Sequence, residues 1–196
     1  MKIRLSPSAG RACVLVGSCL LVIAALLPLL WQWSVHSSAE KMEERLQTIR
    51  TLIPEPQNAA IEARRDNTMS TLSLDGTDFV GILEIPGCGS AVPVGADWGK
   101  VSKHPCRLSG SIYDGTMQIG LTSQKGQYDF YREISAGDAV YFTDMEGSRY
   151  AYTVTDINYE KHADQTALNR NDGALTLFIK NIYAFEYIVV FCSPTL

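Results

Sequence analysis

Two short apolar runs near the C-terminus limit the fold more than any other feature. They are Leu175-Thr176-Leu177-Phe178-Ile179 and Tyr187-Ile188-Val189-Val190-Phe191-Cys192. Both are near-continuous, rich in Val, Ile and Phe, and too short for helices in a soluble domain, so each reads as a buried strand. The segment Lys180 to Glu186 reads as the loop between them.

Other strands precede them. Phe79-Val80-Gly81-Ile82-Leu83-Glu84-Ile85-Pro86 is a strand stopped by Pro and Gly. Ala91-Val92-Pro93-Val94 is a second, and Pro93 gives it an edge position or a bulge. Gln118 to Thr122 is strand-like. Val140 to Asp144 and Arg149 to Ile157 form a hairpin about Met145-Glu146-Gly147, where Gly147 supplies a positive φ. Tyr150-Ala151-Tyr152-Thr153-Val154-Thr155 alternates as a half-buried strand does. Asp97 to Lys103 reads as a helical turn, and His162 to Asn171 as one or two. Many short strands with few helices predict an all-β domain, and closure into a barrel removes most exposed edges.

The N-terminal part is organised differently. Residues 1–11 carry Lys2, Arg4 and Arg11, and residues 12–33 carry no charge. That length meets the roughly 20 apolar residues a membrane span needs. Trp31 and Trp33 suit the membrane–water interface, and the preceding basic residues put the N-terminus in the cytoplasm with the rest extracytoplasmic. Ser37-Ser38-Ala39 has the form of a signal-peptidase site, but the apolar run is long for a cleaved signal, so the reading is an uncleaved single-pass anchor. Val16-Gly17-Ser18-Cys19 has a loose lipoprotein form and comes too early in the chain. In Ser37 to Ile53, Met42, Leu46, Ile49 and Ile53 make an apolar stripe on a charged helix, read as a stalk. Pro54-Glu55-Pro56 ends it. Gln57 to Asp75 reads as a linker with a short helix at Ala59 to Arg65. Residues 34–77 are thus stalk and linker, and residues 78–196 the folded domain.

A net charge of −4 leaves no dominant basic surface, so no nucleic-acid partner is expected. Cys88, Cys106 and Cys192 fall in the domain, with no CxxC and no zinc spacing. They read as isolated thiols, with one disulfide among them left open, and no metal or cofactor is expected.

From Phe79 to Cys192 the order of motifs resembles the sortases of Gram-positive cell surfaces. FVGILEIP is similar to the family's first strand. HPCRLSGSIYDGTMQIG resembles the PCR-x-SGS segment of class B-like and class D-like members. AGDAVYFTDMEGSRYAYTV is similar to GD-x-VYFTD-x-x-G-x-x-Y-x-Y-x-V, and GALTLFIKN to the strand that ends in the nucleophile. Anchor, stalk and β domain is also the family's layout. The resemblance implies a closed sortase-type β-barrel.

It also implies a chemistry: a Cys thiolate attacks a sorting-signal carbonyl, a His serves the amine, and an Arg holds the oxyanion. This sequence departs at all three positions. Thr122 stands at the His position, Lys180 at the Cys position and Tyr187 at the Arg position. Thr122 is no base near neutral pH. An acylated Lys180 is a stable amide. Tyr187 offers one hydrogen bond without charge. The expected function is binding or scaffolding of a sorting-signal peptide, a surface or pilin protein, or an active sortase. The alternative is an active sortase with a displaced nucleophile, Cys192 or Cys106. His104 and His162 read as surface residues in connecting segments. Ile179, Ile182, Tyr183, Phe185 and Tyr187 are the candidates to line a peptide groove or to fill it.

Overall fold

The structure, a computed structural model, describes residues 7–60, 67–100, 104–123, 129–161, 173–182 and 184–195, with side chains at all of these except 7–14, 29–39, Lys100, Asp129 and Tyr131. The chain divides into two compact units, Met1–Glu40 and Lys41–Leu196.

The first unit is helical, within α1 (Pro7–Leu52), and Pro28 lies inside that helix. Its consecutive apolar residues Leu20, Leu21, Val22 and Ile23 are all exposed, so no buried stripe forms there. Among the described residues no helix is long and apolar enough to cross a membrane. Of the span expected over residues 12–33, the side chains of 12–14 and 29–33 lie outside those described.

The second unit starts with the last turns of α1. Leu46 and Ile49 are buried against Phe79 and Ile82, with Ile53, Leu72, Leu74, Ala91 and Met145 around them. The expected apolar stripe is therefore present, but it is spent on the β domain. This corrects the reading of a stalk and linker over 34–77: the folded unit begins at Lys41, ahead of Asp78. The physical reason is area. Four apolar residues are too few for a coiled coil, yet burying Ile49 fully against a sheet is worth about 1.5–3 kcal/mol. Arg50 Nη2 donates to Glu84 Oε1 at 2.9 Å, and Arg149 Nη2 lies 3.2 Å from Glu84 Oε2, which adds a polar clasp beside this contact. The expected linker also holds two short strands, β1 (Gln57–Asn58) and β2 (Leu72–Leu74). Ala59 is not helical; its N–H donates to the Arg149 carbonyl at 2.9 Å. Residues 61–66 of the expected short helix lie outside the described ones.

The other strands are β3 (Thr77–Ile85), β4 (Ser90–Gly95), β5 (Cys106–Ser109), β6 (Met117–Ser123), β7 (Ala139–Asp144), β8 (Ser148–Glu160), β9 (Leu175–Asn181) and β10 (Glu186–Pro194). Pairing runs β3–β7–β8–β10–β9–β6–β5–β4 and returns to β3, so eight strands close into a barrel. The all-β barrel expected from the sequence is present. The β6–β9 and β4–β5 pairs are parallel and the other pairs in the ring antiparallel. The β4–β5 seam rests on one pair, Gly95 with Cys106, beside a β4 that carries Pro93. Proline lacks the N–H that a longer ladder would need. Strand β5 was not expected. The turn read over Asp97–Lys103 is a short 3₁₀ turn at Trp98–Lys100, and residues 101–103 and 162–171 lie outside the described ones.

The interior is filled from alternate positions: Met117, Ile119 and Leu121 of β6; Leu175, Leu177 and Ile179 of β9; Ile188, Val190 and Cys192 of β10. Close backbone approach fixes one glycine. A Cβ on Gly81 would lie 2.4 Å from Phe142 Cζ and 2.5 Å from the Thr143 carbonyl oxygen. Since the second contact is backbone, the strands would have to separate.

Ile49→Ala is expected to lower unfolding stability by about 2–5 kcal/mol, and Gly81→Ala by about 1–3 kcal/mol, both read by urea titration of the full chain. An Ile49→Ala variant as stable as the parent would mean that the helix end stands clear of the barrel.

Candidate functional site

The site follows from register. In the β6–β9 pair Thr122 lies opposite Lys180, in the β9–β10 pair Lys180 lies opposite Tyr187, and in the β10–β8 pair Tyr187 lies opposite Glu160. Directly opposed residues share a face and place their Cβ atoms about 4.5–5.5 Å apart. Thr122, Lys180, Tyr187 and Glu160 therefore form one rung across four strands. Because Leu175, Leu177 and Ile179 enter the barrel, Lys180 turns outward, as alternation requires. The three positions singled out from the sequence are brought together.

The same outer face carries a hydrophobic cluster. Phe178, Val189 and Phe191 are buried there, with Leu108 packed against them. Phe178 is one same-face step from Lys180, and Val189 one step from Tyr187. Trp98 lies over Gly120, one step before Thr122. A Cβ on Gly120 would meet the indole Cζ3 at 2.0 Å, yet Trp98 keeps 45% exposure. Lys180 is exposed; Thr122 and Tyr187 are partly buried.

The turn beside the rung is tighter than expected. Lys180 and Asn181 belong to β9 and Glu186 to β10, which leaves residues 182–185 as the loop. Asn181 brackets it: its Oδ1 accepts from the Ala184 N–H at 3.3 Å, and its Nδ2 donates to Glu186 Oε1 at 3.3 Å. Phe185 takes a φ of 53°, the left-handed region that side chains other than glycine enter at a cost. Its ring is 85% exposed, and Ile182 is 38% exposed.

The proposed groove set divides accordingly. Ile179 is fully buried in the barrel core and does not line an outer groove, because it has the opposite parity to Lys180. Ile182 and Phe185 stand at the loop beside the rung. Tyr183 lies outside the described residues. Trp98 and Glu160 were missed. Trp98 sits in a segment read only as a turn, and nothing local to Glu160 signals that it opposes Tyr187.

The three domain cysteines are thiols. Cys192 lies in the barrel core, and burial pushes its pKa up to about 12. Burial, then Asp138, then Glu133 raise that of Cys88, whose Sγ donates to the Phe130 carbonyl at 3.7 Å. Cys106 Sγ lies 3.3 Å from His104 Nδ1, and both side chains are buried. This corrects the surface reading of His104. The signal was available, since residues i and i+2 of an extended segment share a side. Neither residue is in the Thr122–Lys180–Tyr187 rung. Among the described residues no group of His, Cys, Asp and Glu is arranged to hold a metal ion.

No protein-family model matches the chain, and no curated protein does. Solved structures do. The sortase A from Corynebacterium diphtheriae superposes with a TM-score of 0.51 at 20% identity, over 60% of this chain and 61% of that one. The fold is that of the sortases. A Clostridium perfringens sortase D5 transpeptidase gives 0.49 at 11% identity over 61% of this chain and 80% of that one. The sortase C from Clostridium perfringens SM101 gives 0.47 at 20% identity over 61% and 71%. At these identities the likeness is one of fold, and the chain spans 61% of the length of the Corynebacterium diphtheriae sortase A.

Cys192 also sets a pH dependence. Its folded pKa, about 12, lies above the ordinary value of 9.0, so above pH 9 the unfolded chain loses a proton that the folded chain keeps. Burial raises the pKa of Tyr152 in the same direction. The contribution of Cys192 to stability is full below pH 9 and is expected to be lost as pH rises from 9 toward 12. Cys192→Ala should make the fall in stability over that range shallower in urea titrations at a series of pH values. An unchanged slope would mean that Cys192 ionises alike in both states.

Proposed function

We propose that this protein is a membrane-anchored, extracytoplasmic sortase-fold protein that binds a peptide or protein partner without transpeptidase chemistry. One observation carries the reading: Thr122, Lys180 and Tyr187 stand side by side in one rung. In the family the resemblance points to, those positions hold the His, Cys and Arg of the reaction. Here they supply a hydroxyl, an ammonium and a phenol. No thiol is there to form a thioester, no base to activate an amine, and no guanidinium to hold an oxyanion. An acyl group on Lys180 would end as an amide.

Binding needs less. The outer face offers the exposed part of Trp98 and the exposed Lys180, with Ile182 and Phe185 of the neighbouring loop also open to contact. A sorting-signal peptide, a surface or pilin protein, or an active sortase presenting its own substrate are the partners this face suits. The anchor rests on the uncharged residues 12–33 and on the exposure of the consecutive apolar side chains Leu20, Leu21, Val22 and Ile23.

A second reading has an observation of its own. The 3.3 Å contact between Cys106 Sγ and His104 Nδ1 is the pairing a cysteine transpeptidase uses. In that reading the chain is an active sortase with its nucleophile displaced to Cys106, cleaving a C-terminal sorting signal and passing the acyl group to an amine. Cys192, deep in the core and held protonated, is a poor substitute.

The test incubates the full chain in detergent micelles with sorting-signal peptides and an amine acceptor, and records intact mass and peptide cleavage. The expected result is binding with neither adduct nor cleavage. An acyl adduct overturns the proposal, and its loss in Cys106→Ala would establish the second reading. Gly120→Ala is expected to swing Trp98 aside. Peptide binding should weaken severalfold while stability changes by about 1 kcal/mol or less, because an exposed indole can move where backbone cannot.

A further inference from the structure

We infer that the β4–β5 seam is a redox-sensitive latch: a hydroperoxide oxidises Cys106, with His104 taking the thiol proton, and the oxidised sulfur holds the seam open until a thiol reduces it. The latch works independently of what the outer face binds.

The seam is the least-paired joint of the ring. Strand β5 is held to β4 by one pair, Gly95 with Cys106, and by the Gly95 N–H, which donates to the Pro105 carbonyl at 2.8 Å. Three pairs hold β5 to β6 on its other side, whereas seven hold β6 to β9. Local opening starts where few backbone bonds must break, so β5 parts from β4 while the rest of the ring stays closed.

The thiol at this joint is set up to react. Cys106 Sγ lies 3.3 Å from His104 Nδ1 and 3.4 Å from the His104 carbonyl oxygen, and both side chains are buried. The thiolate is the form that attacks. With its hydrogen on Nε2, His104 accepts the thiol proton at Nδ1, and the Pro105 carbonyl, 3.2 Å away, then accepts from the new N–H. In the open seam the thiolate attacks the outer oxygen of the hydroperoxide. The S–O bond forms as the O–O bond breaks, sulfur gives up two electrons, and the leaving alkoxide or hydroxide takes the proton from His104. The products are a sulfenic acid and an alcohol or water. Two thiols reverse the change, leaving the Cys106 thiol, a disulfide and water.

Room decides the consequence. A Cβ on Gly95 would lie 2.5 Å from His104 Cε1, 2.8 Å from His104 Nδ1 and 3.3 Å from Cys106 Sγ, so no further heavy atom fits between β4 and the pair. Cys106 is fully buried, and an added oxygen must displace a neighbour. The single Gly95–Cys106 pair yields with the least loss. Cys106 also stands opposite Gly120 of β6, the glycine beneath Trp98 and one same-face step from Thr122, so the latch lies beside the rung.

The test treats the full chain in detergent micelles with hydrogen peroxide and dimedone, which caps sulfenic acids, and reads each cysteine by peptide mass spectrometry. Cys192 is the internal standard, because it is equally buried but lies in a strand paired on both sides along most of its length. Cys106 should be labelled about tenfold faster than Cys192. Gly95→Ala, which crowds His104, should raise that ratio, and His104→Gln should lower it severalfold. Global unfolding exposes both thiols alike, so the ratio separates an opened seam from a destabilised variant. After peroxide alone, hydrogen exchange should show lost protection over Cys106–Ser109 with Leu175–Asn181 unchanged. Dithiothreitol should restore it, and Cys106→Ser should not show it. Equal labelling of Cys106 and Cys192, or a sulfenic Cys106 with Cys106–Ser109 still protected, overturns the latch. A ratio unmoved by His104→Gln overturns the role of His104.

Discussion

The register of β9 between β6 and β10 is the constraint on which the rest depends. Seven consecutive pairs hold β9 to β6, from Met117–Leu175 to Ser123–Asn181, and another seven hold it to β10. The inward residues of all three strands fill the barrel. A slip of one residue would turn Ile179 outward and drive Lys180 into the core. Burying an isolated ammonium costs several kcal/mol, and exposing Ile179 and its fellows adds to that. Core packing thus sets the site: the interior chooses the register, and the register puts Thr122, Lys180 and Tyr187 abreast.

The barrel treats its outer faces differently. Around Phe79 and Ile82 the outer face of β3 is covered by the end of α1 and clasped by Arg50, Glu84 and Arg149, with the Arg149 guanidinium 4.0 Å above the Tyr141 ring. Around Phe178, Val189 and Phe191 the outer face of β9 and β10 leads to the exposed Lys180 and to the half-open indole of Trp98. The apolar residues of both faces are buried, and what stays exposed beside the second is Lys180 and part of Trp98. The contrast follows from which strand carries an ammonium at its end and which carries apolar residues matched to a helix.

The β4–β5 seam shows the same economy of means. With one ladder pair between these strands, closure relies on side chains. Gly95 has no Cβ because one would sit 2.5 Å from His104 Cε1, and His104 in turn meets Cys106 Sγ. A thiol–imidazole contact that would read as chemistry elsewhere here also serves to fill a join, beside the Phe79 ring at 5.6 Å.

Much of this was legible in the sequence, and the division has a physical cause. Period-two patterning and short apolar runs determined the strands β3, β4, β6, β7, β8, β9 and β10, and the absence of long helices after residue 53 determined the all-β class, because strand burial is written locally in alternate residues. The motif order also indicated that Thr122, Lys180 and Tyr187 belong together. The sequence did not determine that α1 ends as part of the barrel, that Ile179 faces inward while Lys180 faces out, that Trp98 covers Gly120, or that Glu160 completes the rung. Those facts depend on pairings between residues far apart in the chain, such as Thr122 with Lys180, 58 positions on. Only closure of the barrel, which fixes every register at once, decides them.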